Sequence, residues 1–222
     1  MKKYEFTGET KQVGVLGNIT VRRIRATMEF GIVKVGDLGG WIEKEENLDQ
    51  EGNAWVWGNA KIFGNAKIFG NAEIWGNAKI FGNAEICGNA KIFGNAKICG
   101  NAKIFGNAEI WGNAKIWGNA EIWGNAEIWG NAKICRTSHV LVLGPIGSRD
   151  AFTTFFRDKD NEITVSCGCF LGKIDRFLEK VQQTHGDSKY ALVYRSTVEV
   201  AKLQIDLTSN QTDNGGQEDG AV

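Results

Sequence analysis

The sequence contains a single proline, only two histidines and no long hydrophobic run. Its longest apolar stretches are about five residues, far short of the roughly 20 that span a bilayer as a helix. Met1 to Phe6 offer no apolar core for a signal peptide, so we expect a cytoplasmic protein. Lysine plus arginine equals aspartate plus glutamate at 26 each, so no net field favours a membrane or a nucleic-acid polymer as partner. Any electrostatic function must therefore be local.

Cysteine usage argues against a disulfide framework and against a metal centre. The count of five is odd. Three of the five occupy a position that elsewhere carries Phe or Trp: Cys87, Cys99 and Cys135. In a reducing compartment we expect small apolar thiols at these positions. Cys167-Gly168-Cys169 with His185 supplies only three candidate ligands and no recognised zinc spacing, so no metal and no cofactor are predicted.

A six-residue repeat dominates the chain. Residues 52–135 consist of fourteen consecutive units of Gly-Asn-Ala-(Lys/Glu)-Ile-(Phe/Trp/Cys), of which the first reads Gly-Asn-Ala-Trp-Val-Trp. Small, charged and aliphatic residues alternate within a unit, which is the two-residue period of a short strand. Glycine accepts positive φ and asparagine tolerates the left-handed region, so Gly-Asn is typical of a tight corner. Each unit is therefore predicted to be one strand and one bend.

The repeat resembles the hexapeptide repeat of left-handed β-helix proteins, in which an aliphatic residue precedes a small residue by four places, as Ile62 precedes Ala66. In that family three units form one triangular coil, which implies between four and five coils for the units of this chain. The pattern also extends upstream, because Ile42 and Leu48 fall twelve and six residues before Ala54. The resemblance implies an all-β solenoid with isoleucine and alanine inside.

We predict four parts along the chain: an N-terminal β cap at 1–35, the solenoid at 36–135, a small α+β module at 136–207 and a disordered tail at 208–222. The cap is expected because the end of a solenoid exposes strand edges and core. The tail is expected because its composition is polar.

Apolar spacing predicts the elements of the two end regions. Strands are expected at 3–10, 19–26, 139–143, 152–157 and 162–167. Helices are expected at 173–183 and 188–206. The apolar residues that give the helices their three- and four-residue spacing are Ile174, Phe177, Leu178 and Val181 in the first and Leu192, Val193, Val200 and Leu203 in the second.

If three units close one coil, residues eighteen apart stack about 4.8 Å from each other in columns. One outward column is lysine throughout: Lys61, Lys79, Lys97, Lys115 and Lys133. Beside it runs a column of mixed aromatic and thiol side chains: Phe63, Phe81, Cys99, Trp117 and Cys135. The lysines form either a solvated face or a surface for an anionic ligand or partner, in which case Lys97, Lys115 and Lys133 are the binding candidates.

A second outward column is aromatic throughout: Trp57, Trp75, Phe93, Trp111 and Trp129. Five neighbouring rings make a contiguous apolar stripe, which in a protein exposed to water usually marks an interface. We predict that another subunit or the C-terminal module covers the stripe. The alternative is a self-stacked ladder that stabilises the rod alone.

Left-handed β-helix proteins include trimeric acyltransferases that use acetyl-coenzyme A and a histidine base. Here neither His139 nor His185 lies in the repeat, and no loop interrupts the coils. The sequence therefore predicts no catalytic residue and a protein that is not an enzyme. A relative of the acyltransferases that uses acyl-coenzyme A stays the alternative.

The C-terminal module carries the most irregular polar sequence. Gly144-Pro145-Ile146-Gly147-Ser148-Arg149 is a glycine-bounded turn with backbone amides, a hydroxyl and a guanidinium, and Thr154 and Arg157 follow it. Such groups suit a phosphate or carboxylate, although a plain strand-connecting turn with surface arginines would read the same way. Ser148, Arg149, Thr154, Arg157 and the loop residue His185 are the predicted ligand-binding residues of the module.

The chain is also similar to phage and prophage proteins that combine a Gly-Asn-Ala solenoid with an entry segment like residues 37–48 and a short module containing Gly-Pro-Ile-Gly-Ser-Arg and Cys-Gly-Cys-Phe. That resemblance implies a protein that binds a host component or sequesters a small anionic signal of host defence. The overall prediction is a non-enzymatic homo-oligomeric binding protein for a phosphate-bearing small molecule or nucleotide. A purely structural or protein-interaction scaffold is the remaining alternative.

Overall fold

The structure is a computed structural model that describes residues 2–14 and 16–208. The predicted disordered tail, apart from Thr208, lies outside the described residues. Three strands precede the repeats: β1 (Tyr4–Val13), β2 (Ile19–Ala26) and β3 (Leu38–Ile42). The strands predicted at 3–10 and 19–26 are thus confirmed, and they form an antiparallel hairpin in which Tyr4 pairs with Ala26.

Each repeat unit contributes one two-residue strand. These strands are β4 (Trp55–Val56), β5 (Lys61–Ile62), β6 (Lys67–Ile68), β7 (Glu73–Ile74), β8 (Lys79–Ile80), β9 (Glu85–Ile86), β10 (Lys91–Ile92), β11 (Lys97–Ile98), β12 (Lys103–Ile104), β13 (Glu109–Ile110), β14 (Lys115–Ile116), β15 (Glu121–Ile122), β16 (Glu127–Ile128) and β17 (Lys133–Ile134). Every third strand stacks in parallel register, as Lys97 does on Lys115. The stacks form three sheets, which run β4 to β16, β5 to β17 and β6 to β15. The predicted hexapeptide-repeat left-handed β-helix is confirmed.

Isoleucine and alanine fill the interior of the solenoid, as predicted. Every repeat alanine, Val56 and every repeat isoleucine is at most 1% exposed. Complete burial of one isoleucine side chain contributes roughly 1.5–3 kcal/mol to stability. The rod therefore holds a continuous apolar core.

The Gly-Asn corners stack as regularly as the strands. The repeat glycines have φ between +59° and +82°, which only glycine adopts without strain. The Asn89 amide donates to the Gly106 carbonyl of the next coil at 2.8 Å, and the Asn89 side chain donates to the Asn107 side-chain oxygen at 2.9 Å. A Cβ atom on Gly88 would lie 2.7 Å from the same Gly106 oxygen. The corner therefore requires glycine for its conformation and for its close approach to the next coil.

The two upstream units join the solenoid with a shifted spacing. Ile42 pairs with Ile62 and Leu48 pairs with Ile68, so both occupy isoleucine positions twenty residues before their partners. The sequence pattern placed Ile42 and Leu48 twelve and six residues before Ala54, at alanine positions of the repeat. The structure places them at isoleucine positions, so the predicted register is wrong by two residues. The first coil accommodates the extra residues in the irregular stretch before β4.

The N-terminal region closes the first coil with buried contacts. The Tyr4 hydroxyl donates to the carbonyls of Glu45 and Leu48 at 3.0 and 2.9 Å. The Trp55 ring, which is fully buried, meets the Tyr4 and Phe30 rings edge-on at centroid distances of 6.2 and 5.4 Å. These rings cover the core where no further coil is present to do so.

A second apolar cluster lies outside the isoleucine core. The Phe63 and Phe81 rings stack at 5.0 Å between centroids and are 2% and 6% exposed. Val13, Ile19 and Val21 of the β1–β2 hairpin pack into the same cluster. The sequence predicted that the side chains of this column point outward, and it did not predict that the hairpin covers them. Nothing in the repeat indicates that a hairpin distant in sequence packs against this column.

The C-terminal region is an antiparallel sheet with two helices: β18 (Val140–Ile146), β19 (Ala151–Arg157), β20 (Ile163–Cys167), β21 (Phe170–Lys173), α1 (Ile174–His185) and α2 (Lys189–Gln204). The sheet follows the order of the chain. The three predicted strands and both helices are confirmed within a few residues, whereas β21 was not predicted. In the part of the chain that the structure describes, neither helix has the length and hydropathy of a membrane span.

Strand β19 closes the last coil of the solenoid. The Phe156 side chain is fully buried and belongs to the same cluster as the repeat isoleucines. The Thr154 hydroxyl accepts from the Glu127 amide at 2.9 Å, and the Lys159 amide donates to the Asn131 carbonyl at 3.0 Å. The module therefore satisfies backbone groups that the last coil would otherwise leave without a partner.

Helix α2 packs on the sheet through a side that does not carry its larger aliphatic residues. Its buried residues are Ala191, Tyr194, Thr197, Val198 and Ala201. The residues that gave the apolar spacing point outward, with exposures of 65% at Leu192, 38% at Val193, 47% at Val200 and 90% at Leu203. The apolar spacing thus identified the helix correctly, while small and aromatic side chains pack against the sheet and the larger aliphatic ones lie outside.

Candidate functional site: a cleft in the C-terminal module

A cleft of about 230 Å³ opens among the turn after β18, the β20–β21 turn and the two helices. Its polar lining comes from all four elements: Ser148, Arg149, Cys167, Cys169, Lys180, Thr184, His185 and Tyr194. Phe170, Phe177 and Val181 supply an apolar floor. The cleft therefore combines an apolar base with a polar rim, which is the usual make-up of a small-molecule site.

Glycine at two turns shapes the cleft. Gly147 has a φ of +76°, and a Cβ atom there would lie 1.9 Å from the Tyr194 hydroxyl oxygen. Only glycine therefore allows the ring of Tyr194 to reach under the turn. Gly168, with a φ of +58°, lets β20 reverse into β21 so that Cys167 and Cys169 both line the cleft.

Tyr194 is the most perturbed titratable group of the cleft. Burial raises the pKa of Tyr194 to about 12, the neighbouring Cys167 acts in the same direction, and the Arg149 guanidinium opposes it. The hydroxyl is therefore a neutral donor at physiological pH. Cys167 also accepts a hydrogen bond from the Thr153 hydroxyl, with 3.2 Å between oxygen and sulfur.

The charge of the lining has one sign. Arg149 and Lys180 are both exposed at the rim, and the described residues that line the cleft include no aspartate or glutamate. His185 adds two ring nitrogens that can take part in hydrogen bonds. Its ring lies 5.6 Å from that of Tyr194. The arrangement suits an anion that presents oxygen acceptors to two cations and to the hydroxyls of the lining.

The structure divides the predicted ligand-binding residues of the module. Ser148, Arg149 and His185 line the cleft together. Thr154 is 1% exposed and its hydroxyl is engaged by the last coil. Arg157 is 3% exposed, donates to the Asn161 side chain at 2.5 Å and lies 3.2 Å from His139 Nε2. We therefore remove Thr154 and Arg157 from the set, since both are buried in contacts that hold the module together.

The lysine column is separate from the cleft. Lys97, Lys115 and Lys133 stack on neighbouring strands as predicted, and none of them lines the cleft. Burial lowers the pKa of Lys61, and the nearby Lys11 and Lys79 lower it further. Like charges nearby therefore disfavour the charged form of Lys61, the first member of the column.

The aromatic column forms a continuous ladder. Successive centroid distances are 4.5, 6.4, 3.7 and 5.0 Å from Trp57 to Trp129, and the planes lie within 15° of parallel. The rings cover one another's faces and are half-buried. They present edges rather than faces to any partner. That geometry matches the self-stacked alternative, and contact with a second subunit stays a prediction for Trp57, Trp75, Phe93, Trp111 and Trp129.

Several residues of the cleft were missed in the sequence. Lys180 and Thr184 lie four residues apart on α1, one turn from each other, which is a signal that helix periodicity offers. Tyr194 gave no signal, because its place in the cleft depends on the turn at Gly147. No three or more His, Cys, Asp or Glu side chains among the described residues are grouped so as to hold a metal ion.

Part of the chain is similar to a known protein. No family model matches the chain. The protein named "Uncharacterized acetyltransferase YdcK" of Escherichia coli strain K12 is 37% identical over 62 residues, which cover 26% of this chain. The same residues cover 19% of that relative, so the chain spans about a fifth of its length. Both this similarity and the solenoid fit a hexapeptide-repeat β-helix protein.

Proposed function

We propose that the protein binds a small phosphate-bearing molecule in the cleft of the C-terminal module and does not convert it. The observation that carries this proposal is the convergence of Arg149, Lys180, Ser148 and the neutral Tyr194 hydroxyl on a lining without carboxylates. An arginine fork matches phosphate oxygens bidentately, and hydroxyls supply further donors. The solenoid then serves as a rigid scaffold for the module.

The size of the cleft limits the ligand. Sites for drug-sized molecules are commonly about 300–1,000 Å³, so this cleft accepts a phosphate with part of a ring rather than a whole dinucleotide. A larger nucleotide would extend beyond the rim or onto a neighbouring subunit. We further propose a homo-oligomer, and a phage protein that sequesters a nucleotide signal of host defence is the biological setting we favour.

Calorimetric titration with mono-, di- and cyclic nucleotides and with inorganic phosphate tests the proposal. We expect at least one compound of the panel to bind, and Arg149→Ala to weaken it by about 1.5–3 kcal/mol, or roughly 10- to 150-fold. Arg176→Ala is the matched control, because Arg176 is an exposed arginine on α1 that pairs with Glu179 and does not line the cleft. An equal loss in both variants, or no binding by any compound, would contradict the proposal.

The acyltransferase alternative predicts a different result from the same panel. The partial relative is named as an acetyltransferase, which is why acetyl-coenzyme A belongs among the test compounds. Release of free coenzyme A, abolished by His185→Ala, would replace the binding reading with an enzymatic one. If the whole panel leaves the protein unchanged and unbound, the scaffold alternative is favoured.

A further inference from the structure

Helix α2 carries its larger aliphatic residues on the side turned away from the module. Leu192 and Leu203 are 65% and 90% exposed, and Val193 and Val200 flank them. A contiguous apolar face of this kind usually marks an interaction surface. We infer that the face binds a second copy of the chain, with the two α2 helices antiparallel across a two-fold axis near Thr197. This inference rests on the homo-oligomer of the proposed function and is independent of the ligand.

The face is complementary to itself when the second helix runs antiparallel. With Thr197 at the centre, Leu192 of one copy lies beside Leu203 of the other, and Val193 lies beside Val200. Each of these pairs is centred within one residue of Thr197. An isologous interface requires such a match, because each contact from a residue of one copy to a residue of the other occurs a second time with the two copies exchanged.

The charged residues follow the same symmetry. Arg195 and Glu199 project from one flank of α2, and their midpoint is also Thr197. An antiparallel partner therefore brings Arg195 beside Glu199 twice, whereas a parallel partner would bring Arg195 beside Arg195. Within one chain Arg195 lies 3.6 Å from Asp187, donates to the Gly186 carbonyl at 3.2 Å and donates to the Gln182 side-chain oxygen. Glu199 lies 2.8 Å from Lys202. The exposed ion pairs contribute little to stability, whereas an Arg195 that turns to the partner also exchanges its two hydrogen bonds to the end of α1.

The surface has room for a partner side chain. A groove of about 470 Å³ runs between α1 and α2 and is lined by Leu178, Gln182, Arg195, Ser196 and Glu199. Ser196 is small and sits at the middle of the outer face, where two helices approach most closely. The groove leaves space beside Leu178 for side chains from the middle of the partner's helix.

Two further considerations favour a second copy over other occupants. Residues 209–222 contain no apolar side chain except Ala221 and Val222, so their composition does not match a leucine-rich face. The 16 residues of α2 extend over about 24 Å, so one helix pair forms a small interface. Weak and transient associations lie at the low end of interface area, so we expect a reversible dimer.

Sedimentation velocity across micromolar protein concentrations tests the inference. We expect a reversible monomer–dimer equilibrium that Leu203→Lys weakens at least about tenfold, because the two-fold axis places the new charge in two apolar contacts at once. Because Leu203 is 90% exposed, the fold is unaffected, which circular dichroism checks. Trp123→Ser, on an exposed aromatic of the rod, is the matched control and leaves the equilibrium unchanged.

A charge exchange distinguishes antiparallel pairing from any general role of α2. Arg195→Glu and Glu199→Arg each weaken the dimer, and the double variant restores it. A monomeric wild-type protein, association that Leu203→Lys leaves intact, or a double variant as weak as the single ones would overturn the inference. Nucleotide titration of Leu203→Lys separates the two proposals, because cleft binding survives in a monomer if only the dimer surface is lost.

Discussion

The solenoid and the modules at its two ends satisfy their polar groups in opposite ways. Inside the rod, the corner asparagines meet their own kind one coil away, as Asn71 donates to Asn89 and Asn89 donates to Asn107. At the ends, unlike groups meet, such as the Thr154 hydroxyl with the Glu127 amide and the Lys3 ammonium with the Ala54 carbonyl. Repetition thus pairs identical residues, and the ends pair different ones.

This difference explains where a binding site arises. A ladder of identical residues pairs the backbone and asparagine groups of every coil and presents the same surface at each step, so little remains for a ligand to recognise at one point. In the C-terminal module the repeat stops, and cationic, hydroxyl and aromatic groups from four elements converge on one cleft. The rod supplies rigidity and the irregular end supplies selectivity.

The largest expected effect tests the continuity of the core in the rod. Ile98→Ala removes a fully buried side chain in a middle coil and should lower the free energy of unfolding by about 2–5 kcal/mol, because stacked coils leave little freedom to collapse. Lys97→Ala alters the neighbouring outward position and should change the free energy of unfolding by less than about 0.5 kcal/mol. Urea unfolding followed by circular dichroism measures both. Equal effects would mean that the rod is loosely packed.

The next effect concerns the turn that shapes the cleft. Gly147→Ala would place a Cβ atom 1.9 Å from the Tyr194 oxygen, so we expect a loss of about 2–4 kcal/mol in stability together with loss of nucleotide binding. Gly168→Ala imposes the same positive-φ strain at the opposite rim with nothing within 4 Å of the new atom. It should therefore cost less and retain binding. If both variants bind equally well, Tyr194 does not shape a functional cleft.

The repeating part of the fold was predictable because every unit carries the same local signal. The small–charged–aliphatic alternation fixed the strand, the Gly-Asn corner fixed the bend, and the register followed from the period. The shift at Ile42 and Leu48 escaped prediction, since a two-residue insertion at an irregular coil leaves no periodic trace. The cover over Phe63 and Phe81 escaped it as well, because it depends on where a hairpin of different sequence packs.

The site was predictable only in part for a related reason. The glycines and the charge of the turn at Ser148 and Arg149 indicate a candidate site. The predicted loop position of His185 indicates that residue. Whether Arg149 or Arg157 can contact a ligand depends on which strand caps the solenoid. Nothing in the sequence around either arginine identifies that strand. On α2 the apolar period predicts the helix but not the face that packs on the sheet, because periodicity identifies a stripe without saying what covers it.

A third prediction compares two glycines within the rod. In Gly88→Ala the new Cβ would lie 2.7 Å from a backbone oxygen of the next coil, whereas at Gly124 no atom lies within 4 Å. The φ angles, +73° and +68°, are nearly equal, so both variants carry the same conformational strain. Gly88→Ala should therefore be less stable than Gly124→Ala by about 1–3 kcal/mol. Equal thermal midpoints would show that coils adjust their spacing freely.

The smallest expected effect is a pH dependence of stability that arises at the N-terminal end. A charged side chain is buried there, whereas the corners of the rod pair neutral asparagines. The Lys3 side chain is 1% exposed, and its Nζ donates to the carbonyls of Glu51 and Ala54 at 3.2 and 3.0 Å. Burial lowers the pKa of Lys3 to about 8, against the opposing attraction of Asp49. An unfolded lysine titrates near 10.4, so between about pH 8 and pH 10.4 the unfolded chain binds more protons than the folded one. The free energy of unfolding should therefore rise with pH across this window.

We expect the total gain to be about 1–2 kcal/mol, smaller than the pKa difference alone implies because an unfolding chain end relaxes around the charge. Lys3→Met should abolish the gain, since it keeps the apolar stem and removes the titrating group. Lys2→Met is the matched control, because Lys2 is exposed and pairs with Glu45 at the surface. Other groups that titrate at alkaline pH, Tyr4 among them, are common to all three proteins and cancel when each variant is compared with the wild type. A parallel rise in the stability of the wild type and of Lys3→Met would show that the buried ammonium stays charged. Pairing Lys3 with carbonyls would then leave its pKa unchanged on folding.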